Sequence, residues 1–407
     1  MGDTGAHAEL KTSWWRWMLR GLAAAAFIGA VAVAVPMLLD PKLPDLDEQV
    51  LPWQRELRAQ ALARVRAGQL GRGGSDATVK AVDVAQLAAY AAMAGDDELY
   101  DPLRRFMLDK LLVRKQYGGK ERVFVAWAYT PGQTAPDATG TTEALRVAEA
   151  LWLGSQAFGD RHFDDRRLAL DILDGYALHA TTDRGVWFIA NYYNLGLDHF
   201  VTNSYTVDYD PDFVRHAADA AGDPALAELA DKSLALVQDA AADNGLIKSI
   251  IQPEIITLVP GGTGIFSPDG VEQLNNVLTV AERVARTDPA LARRTLRFML
   301  DQREPVHLYY RVDTGEPYGD GLAGIETYAA ATRLAVRLGD RRAADRFIDR
   351  LLDFSKWHRE NPDVEPALYR VGESLLAIEL YRRMVEGEPL PLADDPPSTT
   401  QPDSDNI

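Results

Sequence analysis

The chain has 407 residues, enough for one large domain or two ordinary ones, and its 47% hydrophobic content is that of a folded protein with a substantial core. Its 43 Lys and Arg against 60 Asp and Glu leave a net charge of −17, which argues against a nucleic-acid-binding surface and against adhesion to anionic lipid. Cysteine is absent, which excludes disulfides, thiolate metal sites and a cysteine nucleophile.

Lys11, Arg16 and Arg20 precede an uncharged run over 21–39, with Trp14, Trp15 and Trp17 at its leading edge. About 20 apolar residues reach across a bilayer, and flanking Trp with Lys and Arg marks an interfacial anchor facing the cytoplasm. Residues 1–17 are then a short cytoplasmic N-terminus, 18–39 a transmembrane helix, and the chain beyond Asp40 extracytoplasmic. The alternative is secretion after signal cleavage near Ala34, at the small-x-small sequence Ala32-Val33-Ala34. Pro and Asp make 40–49 a spacer, 50–388 is the folded domain, and 389–407 reads as a disordered acidic tail.

Within the domain one phrase recurs: an apolar run at helical spacing, a Gly-Asp or Thr-Asp break, then a second such run. The breaks are Gly95-Asp96, Gly159-Asp160, Gly222-Asp223, Thr287-Asp288 and Gly339-Asp340. In each, Gly or Thr stops one helix and Asp caps the next. The pattern predicts a first helix over 53–68, hairpins over 79–112, 139–180, 211–243, 268–302 and 322–357, and a last helix over 366–385. No comparable stretch alternates with period two, so sheet is expected to be minor. A single hairpin cannot bury its apolar stripe, whereas stacked hairpins can.

The links between hairpins, over 113–138, 181–210, 244–267 and 303–321, are long, and long links inside a compact domain are usually functional. In a closed ring of hairpins they share one face and surround the starts of the inner helices. They also hold the aromatic residues: Trp127 and Tyr129, then Trp187, Tyr192, Tyr193 and Tyr205, then Phe266, then Tyr309 and Tyr310. Rings mixed with Asn, Gln, Asp and Arg suit a sugar groove, because pyranose C–H faces stack on rings and hydroxyls need planar partners. Packing of the loops onto the rim is the alternative for any one ring.

Acids recur at the same helix starts: Asp83; Asp137 and Glu143; Asp208, Asp210 and Asp212; Asp269 and Glu272; Asp320 and Glu326. Each alone is accounted for as a cap or dipole partner. Converging in one cleft, they supply the carboxylate pair that glycoside hydrolysis requires, one to protonate the leaving oxygen and one to activate water. The seven His show no zinc or di-iron spacing, and no nucleophile-elbow, phosphate-loop or dinucleotide motif occurs, so no metal and no cofactor is expected.

Four stretches carry a family likeness. They are Ala94-Gly95-Asp96 through Tyr100-Asp101; Ala138-Thr139-Gly140-Thr141-Thr142-Glu143-Ala144-Leu145; Asn203-Ser204-Tyr205 with Ala221-Gly222-Asp223 and Asn244-Gly245-Leu246; and Phe266-Ser267-Pro268-Asp269-Gly270-Val271. Over about 53–385 the chain resembles the six-hairpin glycosidases, most nearly a divergent family-8 glycoside hydrolase of the endoglucanase and chitosanase type. The resemblance implies an all-α (α/α)6 toroid of twelve alternating inner and outer helices and hydrolysis of a polysaccharide. It places the proton donor near Asp83 and the base at Asp269, with Asp137 and Glu143 beside the cleaved sugar. Trp127, Tyr129, Trp187, Tyr192, Tyr193, Tyr205, Tyr309, Tyr310 and Glu326 would then bind substrate. The family's Ser-Glu-Gly stands here as Ala81-Val82-Asp83-Val84, and its Asp-x-Asp as Thr142-Glu143-Ala144. The Arg after its base is replaced by Glu272 or Gln273.

Two other functions fit the same residues. One is a non-catalytic glycan-binding or scaffold protein, partnered with polysaccharide synthesis or export proteins. The other is an α-toroid lyase using Asn191, Tyr192, Tyr193 and His199.

Overall fold

Alternate helices of the domain form an inner layer, interrupted between the fourth and the eighth by a turn, and the link chemistry of the sequence sets where each helix stops. The computed structural model describes residues 44–71, 77–183, 185–251, 270–361 and 367–392. The 18–39 segment and Asp269 lie outside the described residues, and no described helix is long and apolar enough to cross a membrane. Twelve α-helices are described: α1 Leu51–Arg66, α2 Ala81–Met93, α3 Asp97–Phe106, α4 Thr141–Phe158, α5 Phe163–Ala177, α6 Pro211–Ala221, α7 Pro224–Ala240, α8 Leu274–Glu282, α9 Pro289–Asp301, α10 Ile325–Arg337, α11 Arg341–Glu360 and α12 Leu368–Glu386.

The Gly-Asp breaks form the inner-to-outer turns. Gly95, Gly222 and Gly339 adopt φ of 65°, 63° and 69°, where a side chain is disfavoured. The following acids cap the next helix, Asp96 accepting from Leu99 N, Asp223 from Ala225 N and Leu226 N, and Asp340 from Ala343 N. Asp288 likewise accepts from Leu291 N. The fifth break differs: Gly159–His162 is a 3-10 turn, and α5 begins only at Phe163.

α2 is buried on all sides, its alanines letting neighbours approach closely, which marks an inner helix. It lies between α4 and α12; α12 in turn packs on α10, and α10 on α8. The outer helices α3, α5, α9 and α11 cover α2, α4, α8 and α10. Between α4 and α8 the ring is bridged by the turn Thr206–Asp208. Thr142 and Arg283 both donate to Val207 O, and Tyr176 Oη donates to Asp208 O at 2.8 Å. α6 starts below this turn, where Asp212 accepts the backbone N–H of Arg286 and Thr287, past the end of α8.

Among the described residues strands form only short antiparallel pairings, and four of these pairs collar the inner-helix starts. β1 (Val79–Lys80) pairs with β4 (Ala128–Tyr129), and β5 (Ala138–Gly140) with β8 (Tyr192–Asn194). β10 (Ser204–Tyr205) pairs with β11 (Ile250–Ile251), and β12 (Val271–Gln273) with β13 (Tyr309–Arg311). Each thus joins the lead-in of one inner helix to the following link. The remaining strands are the hairpins β2 (Leu112–Tyr117) with β3 (Lys120–Val125) and β6 (Ala180–Asp183) with β7 (Val186–Ile189), plus β9 (His199–Phe200) beside β8.

Three expected boundaries are corrected. The spacer ends earlier than 49, because Leu46–Val50 already form a helical turn continuous with α1. α8 starts at Leu274 and not near 268, because Val271–Gln273 are drawn into the collar. The tail is ordered as far as Leu392: Arg383, Arg337 and Arg286 donate to the carbonyls of Pro389, Pro391 and Leu392 at 3.1, 2.6 and 2.7 Å.

Candidate active site

The collar brings the starts of α2 and α4 side by side. Ala81 N donates to Trp127 O at 3.1 Å, Ala126 bridges to Thr139, and Thr141 N donates to Asn191 O at 3.1 Å. Neither α2 nor α4 has a side-chain N-cap, since Lys80 and Gly140 occupy those positions. The first-turn carboxylates therefore act on helix ends that are otherwise uncapped. Glu143 folds back over the start of α4 toward its own backbone N–H, and a Cβ at Gly140 would run into its carboxylate. Only glycine at 140 leaves room for this conformation.

Glu143 is half-buried, and burial pushes its pKa up to about 7. Its backbone hydrogen bond lowers the pKa, the neighbouring Asp208 carboxylate raises it, and Lys80 and Arg283 lower it further. Asp208 is 1% exposed and pushed up by burial to about 6. It is held by donors from three segments: Tyr205 N at 2.9 Å, Thr142 Oγ1 at 2.8 Å, and the Asn191 amide, which when oriented to donate lies 3.2 and 3.3 Å from its two oxygens. So satisfied, Asp208 has no face for a substrate. Its electrostatic effect falls on Glu143.

An aromatic platform stands beside this pair. Trp127 is 38% exposed, and its indole N–H donates to Asp137 at 2.8 Å. The Lys80 ammonium lies 3.6 Å from the ring centroid, a cation–π contact on one face. Lys80, Trp127, Asp137 and Glu143 thus share the mouth of α2 and α4.

Beneath the mouth the ring is filled with charge. Arg333 Nη1 bonds Glu373 at 2.6 Å and Arg333 Nε bonds Glu282 at 2.9 Å, while Gln86 donates to Glu373. Arg146 pairs with Glu149 at 3.1 Å, and Arg283 Nε lies 3.5 Å from Asp210. Burial pushes Asp210 up to about 7 despite that arginine, so desolvation outweighs the attraction.

The other expected site residues divide by exposure. Asp83 is fully buried in the first turn of α2, with no exposed surface to offer a sugar. Asp137 is an exposed rim residue that orients Trp127. Tyr193 is fully buried, stacked on Phe124 at 5.5 Å, its hydroxyl between Lys115 and Asp198, which corrects its expected place in the groove and removes it as a lyase base. Tyr310, 1% exposed, is corrected likewise: it packs edge-on against Phe298 and receives His307 N at 3.1 Å. Tyr129 packs edge-on against Phe106, and Trp187 lies against Tyr209 with Lys232 6.0 Å from its ring. Tyr192 and Tyr205 are half-buried in the collar, opposite Gly140 and Ile250. Tyr309 is 37% exposed on β13, and Glu326 pairs with Arg370 at 3.3 Å. Lys80, Thr142 and Arg283 were not among the expected site residues; Asn191 was expected only for a lyase, and Asp208 was legible only as one helix-start acid among several.

No family model matches the sequence, and no curated protein matches it. Solved structures do. An α-amylase from Clostridium perfringens superposes with a TM-score of 0.59 at 14% identity, over 75% of this chain and 87% of that one. PssZ from Listeria monocytogenes superposes at 0.56 and 13%, over 75% and 87%. A cold-adapted family 8 xylanase in complex with substrate gives 0.55 and 15%, over 78% and 81%. The chain therefore shares its fold with these proteins at low sequence identity.

Proposed function

We propose that this chain is a membrane-anchored, extracytoplasmic glycoside hydrolase acting on an exopolysaccharide or cell-wall glycan, built as a complete (α/α)6 toroid. One observation carries the proposal: Glu143, pushed up to about 7 by burial, lies at the start of α4 within the field of Lys80, which covers one face of the exposed Trp127 ring. A carboxyl protonated at neutral pH can give its proton to a glycosidic oxygen. Asp208 holds that proton in place through its own negative charge, and Asp137 fixes the stacking ring. Asp269, immediately before Gly270 and the collar strand β12, is the proposed base, and Asp83 a buried carboxylate behind the site. Support for a sugar polymer as substrate comes from the fold shared with a xylanase bound to its substrate and with an α-amylase. Placement outside the cytoplasm rests on the 21–39 run.

The test is incubation with neutral, amino and uronic polysaccharides, scored for new reducing ends. Reducing ends from one class establish the hydrolase and name its sugar. Products absorbing in the ultraviolet through a new double bond make the protein a lyase. Binding without cleavage makes it a glycan-binding scaffold, a function favoured by Thr142-Glu143-Ala144 standing where the family carries Asp-x-Asp.

A further inference from the structure

At the end of the barrel away from the inner-helix starts, two turns meet. α3 presents Asp97 and Asp101, one helical turn apart on a single face, and the Gly159–His162 turn places His162 against them. One ligand atom from each residue lies within 4.8 Å of the others. His162 is 8% exposed, wedged edge-on between Tyr100 and Phe158 at centroid distances of 5.3 and 5.6 Å. Its Nε2 lies 2.9 Å from Asp101 Oδ1 and 3.9 Å from Asp97 Oδ1. Among the described residues neither ring nitrogen makes a hydrogen bond, the Asp101 contact being an ion-pair approach without hydrogen-bond geometry, and Asp97 Oδ1 is also buried without a donor, while Arg161 occupies only its Oδ2. Buried polar atoms left this way are costly.

We infer that Asp97, Asp101 and His162 bind a divalent transition-metal cation. An electrophile between them satisfies the orphaned nitrogen and the orphaned oxygen at once. Tetrahedral metal–ligand bonds of about 2.0–2.2 Å put neighbouring ligand atoms about 3.3–3.6 Å apart, a separation that the 2.9 Å His162–Asp101 and 3.9 Å His162–Asp97 distances bracket. The Asp97 carboxylate, a third exposed, closes its remaining gap by a small side-chain rotation. One imidazole with two carboxylates suits Zn²⁺ or Mn²⁺ over Mg²⁺ or Ca²⁺, which prefer oxygen alone. Three protein ligands leave further coordination positions to water. The ion would clamp α3 to the α4–α5 turn, far from Glu143, so the site is structural and independent of the proposed hydrolase.

The test uses the untagged full chain, stripped with chelator and titrated separately with Zn²⁺, Mn²⁺, Ca²⁺ and Mg²⁺ by calorimetry and by thermal unfolding. The expected result is one equivalent of Zn²⁺ with a raised melting temperature, and Co²⁺ in its place giving visible d–d absorption. Asp101→Asn, at a half-exposed helical position, and His162→Gln should each weaken Zn²⁺ binding by at least about tenfold. Circular dichroism of the metal-free variants confirms folding, and Asp101→Asn decides the matter where His162→Gln does not fold. No Zn²⁺ uptake by the wild type, or unchanged uptake by Asp97→Asn/Asp101→Asn, overturns the inference.

Discussion

Glu143 and Asp208 illustrate how one carboxylate sets the chemistry of another. Asp208 carries the better-satisfied charge, and Glu143 the more exposed proton. Glu143→Gln keeps the shape and removes the proton, so kcat should fall by about 10²- to 10⁴-fold with circular dichroism unchanged. Full activity in that variant would assign the acid elsewhere. Asp208→Asn removes the like charge, so the Glu143 pKa falls from about 7 and the alkaline limb of the pH–rate profile moves to lower pH. An unmoved limb would mean that another group titrates there. Glu143 was readable in the sequence as a first-turn acid. The role of Asp208 was not, because its donors Thr142, Asn191 and Tyr205 come from the first turn of α4 and from two separated stretches of one link, whose meeting only the collar arranges. The aromatic residues show the same limit: Trp127 and Tyr193 look alike as link residues, and only packing leaves one open and buries the other.

At the level of elements, the Gly-Asp turn was legible because its physics is local. A left-handed glycine and an N-capping acid need nothing beyond their own neighbours. Asp223 shows the capping most fully, accepting from two backbone N–H groups at 2.8 and 3.2 Å. Asp223→Ala should cost about 1 kcal/mol in urea unfolding, with the m-value unchanged. A loss below a few tenths would show that tertiary packing alone holds the start of α7. The collar strands were illegible for the opposite reason. Val79–Lys80 and Ser204–Tyr205 are too short to show alternation, and their partners lie far along the chain. The same pairing moved the start of α8 to Leu274.

Across the described domain, the inner helices pack around buried charge. Arg333 on α10 joins Glu282 on α8 to Glu373 on α12, so three inner helices share one cation. Arg333→Met would strand two buried carboxylates and should cost about 3–5 kcal/mol in urea unfolding at pH 7, far more than the side chain's contacts. The carboxylates Glu143, Asp208 and Asp210, raised to about 7, 6 and 7, give the fold a dependence on pH that can be signed. Their unfolded values are about 4, so between about pH 4 and 7 the folded chain binds more protons than the unfolded one. Their favourable contribution is complete below about pH 4 and disappears as pH rises through 6 and 7. Glu282 has the opposite shift, its pKa lowered against burial by Arg333, so its contribution is lost as pH falls. The melting temperature should therefore peak on the acid side of neutrality and decline from about pH 5 to 8. Asp208→Asn should flatten that decline while leaving the acid limb in place. A melting temperature that climbs steadily from pH 5 to 8 would mean these carboxylates are ionised in the folded chain, and Glu143 could not then hold a proton for a glycosidic oxygen at neutral pH.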